Sequence, residues 1–180
     1  QTCALPILKS RLMKYICLML SPLMFPLHGI AQSQVELGIA AIGYVVTDIE
    51  ASEKFYTEVI GMTPPGGFSL DEQWSDDAGA ANGKPFSVKL FKLVDSPTAT
   101  VLKLAYFDTM ESRPAQKGID DFAGVNYLTL YYDAEGFSAA VDRVQDADIE
   151  MTGWVKRDTY QLFFIKDPDG VFVEIVGPPD

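Results

Sequence analysis

The sequence predicts an α+β fold built from two tandem β-α-β-β-β modules, and three observations lead to this prediction. The chain has 180 residues, of which 48% are hydrophobic and 22% charged, as in ordinary globular domains. A strand pattern, an aspartate and an amphipathic helix pattern follow one another twice, at Asp48 and at Asp133. Each half also ends in strands joined by a tight turn, at 95–98 and at 167–170. A repeated supersecondary unit is a stronger architectural signal than any single element.

The first half contains the first copy of the unit. Residues 39–47 alternate apolar side chains onto one face, which predicts a strand. Apolar residues at helical spacing over 51–60, followed by Gly61, predict a helix that ends at the glycine. The remaining predictions for this half are a short strand at 62–63, a turn at 64–67, a polar insertion at 71–84 and strands at 86–94 and 99–107.

The second half repeats this order. A strand is predicted at 125–132, and a helix follows whose buried stripe lies within 137–144. Further strands are predicted at 149–155, 160–166 and 171–176, the last two joined by the Asp167–Gly170 turn. Within a domain of residues 32–180, module one spans about 38–108, a polar linker 109–122 and module two about 123–178.

The N-terminal residues form a separate segment. Residues 13–31 combine a short cationic start, an apolar stretch interrupted by prolines and small residues near Ala31, which predicts a secretory signal peptide and an exported, periplasmic or secreted protein. Residues 1–12 precede this segment, and Gln1–Ile7 is what the codons CAG ACG TGT GCT CTT CCG ATC encode, a string that resembles a sequencing adapter. We interpret residues 1–12 as a non-native or mis-annotated extension.

Charge and residue content exclude several classes of function. The formal net charge of −11 becomes −14 once the three basic residues within 1–31 are removed, so a nucleic-acid partner or stable membrane insertion is not expected. Both cysteines and the one histidine also lie within 1–31. The mature chain therefore has no thiol nucleophile, no Ser-His-Asp triad and no His or Cys metal ligand.

Two sequence motifs resemble those of a known family. The stretch 46–62, with Asp48, Phe55 and Gly61, and the closing stretch 164–175 are similar to the first and last motifs of the vicinal oxygen chelate (VOC) superfamily. This superfamily includes glyoxalase I, bleomycin-resistance proteins and extradiol dioxygenases. The resemblance implies that each module curls its sheet around a cavity and that the paired modules form a concave cleft.

The resemblance also implies four metal-ligand positions, on the first and last strand of each module. They fall on Ala41, Lys103, Tyr127 and Glu174, with Asn126 as an alternative to Tyr127 if the register slips. Only Glu174 keeps a ligand-type side chain, and one carboxylate does not hold a divalent ion firmly. We therefore expect no cofactor, with a divalent metal at Glu174 as the alternative.

Lys103 and Glu174 both point into the cleft in the family and carry opposite charges. One hypothesis is that they form an ion pair where a metal would sit, with Lys103 also binding an anionic or carbonyl oxygen of a ligand. The alternative is a solvent-directed Lys103 and a solvated Glu174.

Further cleft residues follow from strand alternation and from the insertion. Tyr127, Thr129 and Tyr131 share one strand face and would line the cleft, unless they are ordinary sheet packing. Trp74 lies in the 71–84 insertion, which is either a lid or a solvated loop. The full predicted cleft set is Ala41, Gly43, Trp74, Lys103, Tyr127, Thr129, Tyr131 and Glu174.

These features support two functional hypotheses. The preferred one is an exported protein that binds a small molecule in a metal-free cleft, as bleomycin-resistance proteins do. The alternative is an enzyme, either a glyoxalase-like (lactoylglutathione-lyase-like) lyase or isomerase, or a dioxygenase type. In a metal-independent enzyme, Glu174 would be the general base and Lys103 or Tyr127 would polarise a carbonyl. A homodimer is also compatible with the family, in which modules pair within one chain or across a dimer.

Overall fold

The computed structural model describes residues 40–64 and 66–180, so the predicted N-terminal extension and signal peptide lie outside the described residues. Module one contains β1 (Ala41–Val45), α1 (Ile49–Lys54), a π-helical turn (Phe55–Val59), β2 (Gly66–Leu70), α2 (Glu72–Ala78), β3 (Phe86–Phe91) and β4 (Val101–Tyr106). Module two contains β5 (Tyr127–Tyr131), α3 (Ala134–Asp146), β6 (Trp154–Lys156), β7 (Gln161–Lys166) and β8 (Phe172–Gly177).

Each module forms one four-stranded mixed sheet. The strand orders are β1-β4-β3-β2 and β5-β8-β7-β6, so the two sheets have the same connectivity. In each sheet the first strand runs parallel to the last strand of its module, and the other pairs are antiparallel. This confirms the α+β class and the two tandem modules.

The two aspartates that marked the repeat are helix N-caps. The Asp48 carboxylate accepts hydrogen bonds from the amides of Glu50 and Ala51, both at 3.0 Å. The Asp133 carboxylate accepts one from the amide of Gly136 at 2.7 Å. Because these amides have no partner within the helix, the caps fix where α1 and α3 begin.

The core lies between each sheet and its helix. In module one Phe55 and Tyr56 pack with Phe91 and Leu104 from the sheet, and all four are buried. Alternate strand residues therefore point away from the helix, and we call that side the open face of each module. By strand register the open face of module one carries Ala41, Gly43, Val45, Phe68, Val88, Leu90, Val101, Lys103 and Ala105. The open face of module two carries Tyr127, Thr129, Tyr131, Phe164, Lys166, Phe172, Glu174 and Val176.

Module two also holds the end of the first helical segment. Arg143 of α3 donates from Nε to the carbonyl of Val59 at 2.8 Å and from Nη2 to that of Ile60 at 3.0 Å. The Tyr132 hydroxyl donates to the same Ile60 carbonyl at 2.8 Å. The last carbonyls of a helix have no hydrogen-bond partner within it. Arg143 and Tyr132 of module two supply donors to these carbonyls of module one and so join the two modules.

Two predictions for module one are wrong. Residues 62–63 form no strand, and the second strand is β2, which includes the two glycines predicted as a turn. A Cβ at Gly67 would collide with the carbonyl oxygen of Val88, so the glycine permits a close approach of two strands and does not mark a reversal.

The insertion at 71–84 is not an irregular loop either, since it contains α2. Asp71 caps the helix by accepting from the amide of Trp74 at 2.9 Å, and Gly79 ends it in the left-handed conformation with φ 63°. The Ser75 hydroxyl donates to the carbonyl of Lys84 at 2.7 Å and ties the end of the segment back to the helix.

The strand predicted at 149–155 is also wrong in extent. Only Trp154–Lys156 pairs, with β7, and the preceding residues lead from α3 to that strand.

Candidate functional site

The open face of module two combines a carboxylate with aromatic rings. The Thr129 hydroxyl donates to Glu174 Oε2 at 2.6 Å, because the parallel register of β5 and β8 places these two residues side by side. The Tyr127 ring meets Phe164 edge to face at 6.1 Å between centroids, and Phe164 meets Phe172 at 6.1 Å in the same way. Strand alternation places Tyr131 on this face as well, and it is 74% exposed.

The open face of module one carries a single charged side chain, that of Lys103. The strand register places Lys103 opposite Gly43 on one side and Leu90 on the other. Its ammonium lies 5.8 Å from the centroid of the Phe68 ring, a cation–π contact. Ala41 lies on the same face, opposite Val101.

The ion pair predicted between Lys103 and Glu174 is not formed in the part of the chain that the structure describes. The ion pairs there are Lys54–Glu58, Lys89–Glu53 and Lys156–Asp180. Lys103 and Glu174 belong to different sheets, and each has its own neighbour, Phe68 or Thr129. Lys103 and Glu174 therefore do not neutralise one another through direct contact.

Trp74 packs at the end of the module-one sheet. Its ring meets Phe86 edge to face at 5.9 Å, and Phe86 stacks on Phe107 at 5.1 Å. Trp74 is nevertheless 45% exposed. The residue thus anchors α2 to the sheet and leaves part of the indole available at the surface.

Sequence reasoning missed the phenylalanines of both open faces. Phe164 and Phe172 lie in correctly predicted strands, and their alternation with Ile165 and Val173 was the signal that could have placed them opposite the core. Phe68 could not be placed in this way, because its strand was not predicted.

A buried polar cluster between the modules was also missed. The Tyr44 hydroxyl donates to Asp167 Oδ2 at 2.7 Å, the Tyr56 hydroxyl donates to the same oxygen at 3.0 Å, and the two hydroxyls contact each other. Asp167 Oδ1 accepts from the amides of Asp169 and Val171. Burial raises the pKa of the Asp167 carboxyl and of both phenols. The cluster holds the closing turn of module two against β1 and the first helix.

A comparison with protein families agrees with the two repeated modules and the closing turn. The model of the Glyoxalase/Bleomycin resistance protein/Dioxygenase superfamily matches residues 38–175. The chain belongs to this superfamily. The resemblance noted in its first and last motifs is thereby confirmed. No curated protein matches the chain.

Solved structures of the superfamily share the fold. A glyoxalase/dioxygenase from Nostoc punctiforme is 26% identical, with a TM-score of 0.55 over 80% of this chain and 92% of that one. A glyoxalase family protein from Bacillus cereus is 18% identical, with a TM-score of 0.61 over 80% and 95% of the two chains. The fosfomycin resistance protein FosX from Listeria monocytogenes, solved with Mn(II) and a dihydroxypropylphosphonic acid, is 14% identical, with a TM-score of 0.51 over 77% and 90%.

The residues of this superfamily member do not fit the metal that the resemblance implies. Three of the four expected ligand positions hold Ala41, Lys103 and Tyr127, and the fourth, Glu174, accepts the Thr129 hydroxyl. Within residues 40–64 and 66–180, no three His, Cys, Asp or Glu side chains are grouped so that they could hold a metal ion. An ammonium at one of the four positions also opposes a divalent cation electrostatically.

The described residues also lack a membrane-spanning helix. None of their helices is long and apolar enough to cross a bilayer.

Proposed function

We propose that this VOC-fold protein binds a small organic molecule on its open faces without a metal ion, and that it acts by binding and sequestration. One observation carries the proposal: the positions at which the superfamily is expected to bind a metal hold side chains with other contacts. Lys103 lies beside Phe68, and Glu174 accepts a hydrogen bond from Thr129. Exposed aromatic and aliphatic side chains with a few polar groups are the usual composition of small-molecule sites. The resemblance to bleomycin-resistance proteins supports sequestration as the activity.

A ligand screen in the presence of EDTA tests this proposal. Purified protein is melted with each member of a library of aromatic and heterocyclic compounds, and hits are repeated with Lys103→Met and Glu174→Gln. We expect compounds that raise the melting temperature in EDTA and lose their effect in one of the two variants. Ligands that bind only after a divalent metal is added would contradict the proposal.

One observation favours an enzyme as the second candidate. Tyr127 and Glu174 share the open face of module two, so a carboxylate base and a phenol that polarises a carbonyl lie on one surface. Lys103 is on the other sheet and forms no ion pair with Glu174. This candidate is a glyoxalase-like lyase or isomerase. Turnover of methylglyoxal hemithioacetal that is lost in both Glu174→Gln and Tyr127→Phe would favour it over sequestration.

We also propose that two copies associate through their β1 and β5 strands. Each of these strands ends the described sheet to which it belongs, so its outer edge has no strand partner there. Both carry exposed apolar side chains, with Ile42 and Val45 on β1 and Tyr127 and Tyr131 on β5. Light scattering tests this proposal, since Ile42→Asp, a β1 substitution outside the open face, should convert a dimer to a monomer. A monomeric unsubstituted protein would contradict it.

Export is a further proposal, supported by the pattern of residues 13–31. Mass spectrometry of the protein recovered from a periplasmic or culture fraction would show an N-terminus near Gln32 if the segment is removed. An intact segment in the cytosolic fraction would contradict export.

A further inference from the structure

We propose that the open face of module one binds a planar organic anion, such as an aromatic carboxylate, with the Lys103 ammonium contacting the carboxylate. This inference rests on the proposed small-molecule binding and names the chemical class of the ligand. It depends on three features of the face, which are the free ammonium, the absence of a competing carboxylate and the open space beside it.

The Lys103 ammonium has hydrogen-bonding capacity that the described residues do not use. It donates no hydrogen bond to them and lies within 4.0 Å of none of their carboxylates, and its contact is the Phe68 ring at 5.8 Å. The other lysines of the same strands or faces are engaged differently, since Lys89 pairs with Glu53 and Lys166 donates to the carbonyl of Gln116 at 2.5 Å. A half-buried ammonium with three free donors is a strong binding group for an anion.

No acidic side chain of the sheet competes for that ammonium. On the open face, Lys103 is surrounded by the apolar residues Ala41, Gly43, Val45, Phe68, Val88, Leu90, Val101 and Ala105. The chain as a whole is acidic, with a formal net charge of −11, but exposed charges more than about 8–10 Å away are largely screened at physiological salt. Lys103 is therefore the charged group that the strands of this face place next to a ligand.

The surface beside Lys103 has room for a flat ring. Gly43 faces Lys103 in the β1–β4 register and is exposed, so the strand presents bare backbone there, and the neighbouring Ala41 is also small. Phe68 and Val45, each 42% exposed, supply apolar contact on either side. An aromatic ring can lie on this floor beside Phe68 with its carboxylate at the ammonium.

The open face of module two is less suited to the same ligand. Its Glu174 carboxylate lies between Thr129 and Phe164 and would repel an anion. The Lys166 ammonium on the same face lies over the Phe172 ring and already donates to the carbonyl of Gln116. The main competing possibility is therefore that module two binds a cationic ligand. The test must distinguish binding of an anion from binding of a cation.

Three probes of the same shape and different charge provide the test. Binding of 1-naphthoate, neutral 1-naphthamide and cationic 1-naphthylmethylammonium to the purified protein is measured by calorimetry in EDTA. We expect naphthoate to bind about tenfold or more tightly than naphthamide, as a charge-assisted hydrogen bond predicts, and the cation to bind most weakly. Lys103→Met should remove the preference for naphthoate, and Lys103→Arg should keep it.

Two further variants control for folding and location. Gly43→Leu should abolish binding of all three probes, because its side chain occupies the surface on which the ring lies. The melting temperature should change little, because a Cβ at residue 43 makes an ordinary contact of 3.7 Å with Lys103 Cβ. Lys84→Met removes an exposed lysine of the α2 segment and should leave the order of the probes unchanged.

The possible failures can be told apart. Equal binding of naphthoate and naphthamide, or a preference for naphthoate that survives Lys103→Met, would overturn this inference. A preference for the cation that is lost in Glu174→Gln would overturn it in favour of module two and leave small-molecule binding intact. If none of the three probes binds while other library compounds do, the inference fails alone. If no compound of any charge binds, the proposed function fails with it.

Discussion

Asp169, in the turn between β7 and β8, accepts hydrogen bonds from both the backbone amide of Thr47, at 2.9 Å, and its side-chain hydroxyl, at 2.5 Å. The two residues are 122 positions apart and belong to different modules. Because Thr47 directly precedes the N-cap Asp48, the closing turn of module two fixes the start of the first helix of module one. The tandem modules are thus joined by specific polar contacts as well as by apolar packing.

Removing this contact should destabilise the fold. Asp169→Ala leaves two donors of Thr47 without their partner, and we expect the free energy of unfolding to fall by about 1–3 kcal/mol. Urea denaturation followed by circular dichroism measures the change. Asp158→Ala, at an exposed aspartate in the turn before β7, is the control and should change stability by less than about 0.5 kcal/mol. Equal effects of the two substitutions would show that the Thr47 contact contributes nothing.

Alkaline pH should destabilise the protein through its buried phenols. Burial raises the pKa of Tyr132 to about 12 and raises that of Tyr44 and Tyr56 well above the ordinary value of 10.0. Since the unfolded chain ionises first, stability is fully present below pH 10 and is lost as the pH rises above it, at about 1.4 kcal/mol per pH unit for each such group.

Urea midpoints between pH 8 and about pH 11, with phenolate absorbance at about 295 nm, test this dependence. We expect these three phenols to ionise only as the protein unfolds, and Tyr132→Phe to make the loss of stability with pH less steep. Complete ionisation of all tyrosines in the folded protein near pH 10 would contradict the structural account of their burial.

Two adjacent glycines of β2 should respond differently to alanine. A Cβ at Gly67 meets the Val88 carbonyl oxygen, whereas a Cβ at Gly66 meets nothing within 4 Å. We expect Gly67→Ala to cost about 1–3 kcal/mol through overpacking against backbone, and Gly66→Ala to change stability by less than about 0.5 kcal/mol. Thermal unfolding of the two variants provides the comparison. A similar melting temperature for both would show that β2 does not approach β3 as closely as the structure has it.

Local sequence signals predicted most of the fold because most elements carry their own pattern. Asp48 and Asp133 precede helical periodicity and are N-caps, so both repeats could be recognised without tertiary information. One failure occurs where a non-local contact decides the structure. The sequence predicts Gly67 as a turn residue, but its role depends on Val88, 21 positions later. The prediction for α2 fails for a local reason, because its cap residues Asp71 and Gly79 lie in a polar Gly/Ala-rich stretch that indicates a loop.

The candidate site also has features that local patterns predict and features that depend on tertiary contacts. Alternation placed Tyr127, Thr129 and Tyr131 on one face of β5, and the parallel β5–β8 register brings Thr129 to Glu174. Of the two alternatives for Lys103 and Glu174, the ion pair is not formed in the described residues, and it could not be decided from sequence because it requires the relative position of two sheets, which no local pattern encodes. The Tyr44–Tyr56–Asp167 cluster was missed for the same reason.

Metal-free ligand binding is the central claim, and thermal unfolding in the presence of metal ions tests it most directly. The protein and its Glu174→Ala variant are melted in EDTA and with excess Ni²⁺, Co²⁺, Zn²⁺, Mn²⁺ or Mg²⁺. A metal at about one hundred times its dissociation constant would stabilise the fold by roughly 2.7 kcal/mol, which a melting curve resolves. We expect no metal-dependent shift in either protein. A shift that is specific to one metal and absent from Glu174→Ala would contradict the account and identify a metalloenzyme.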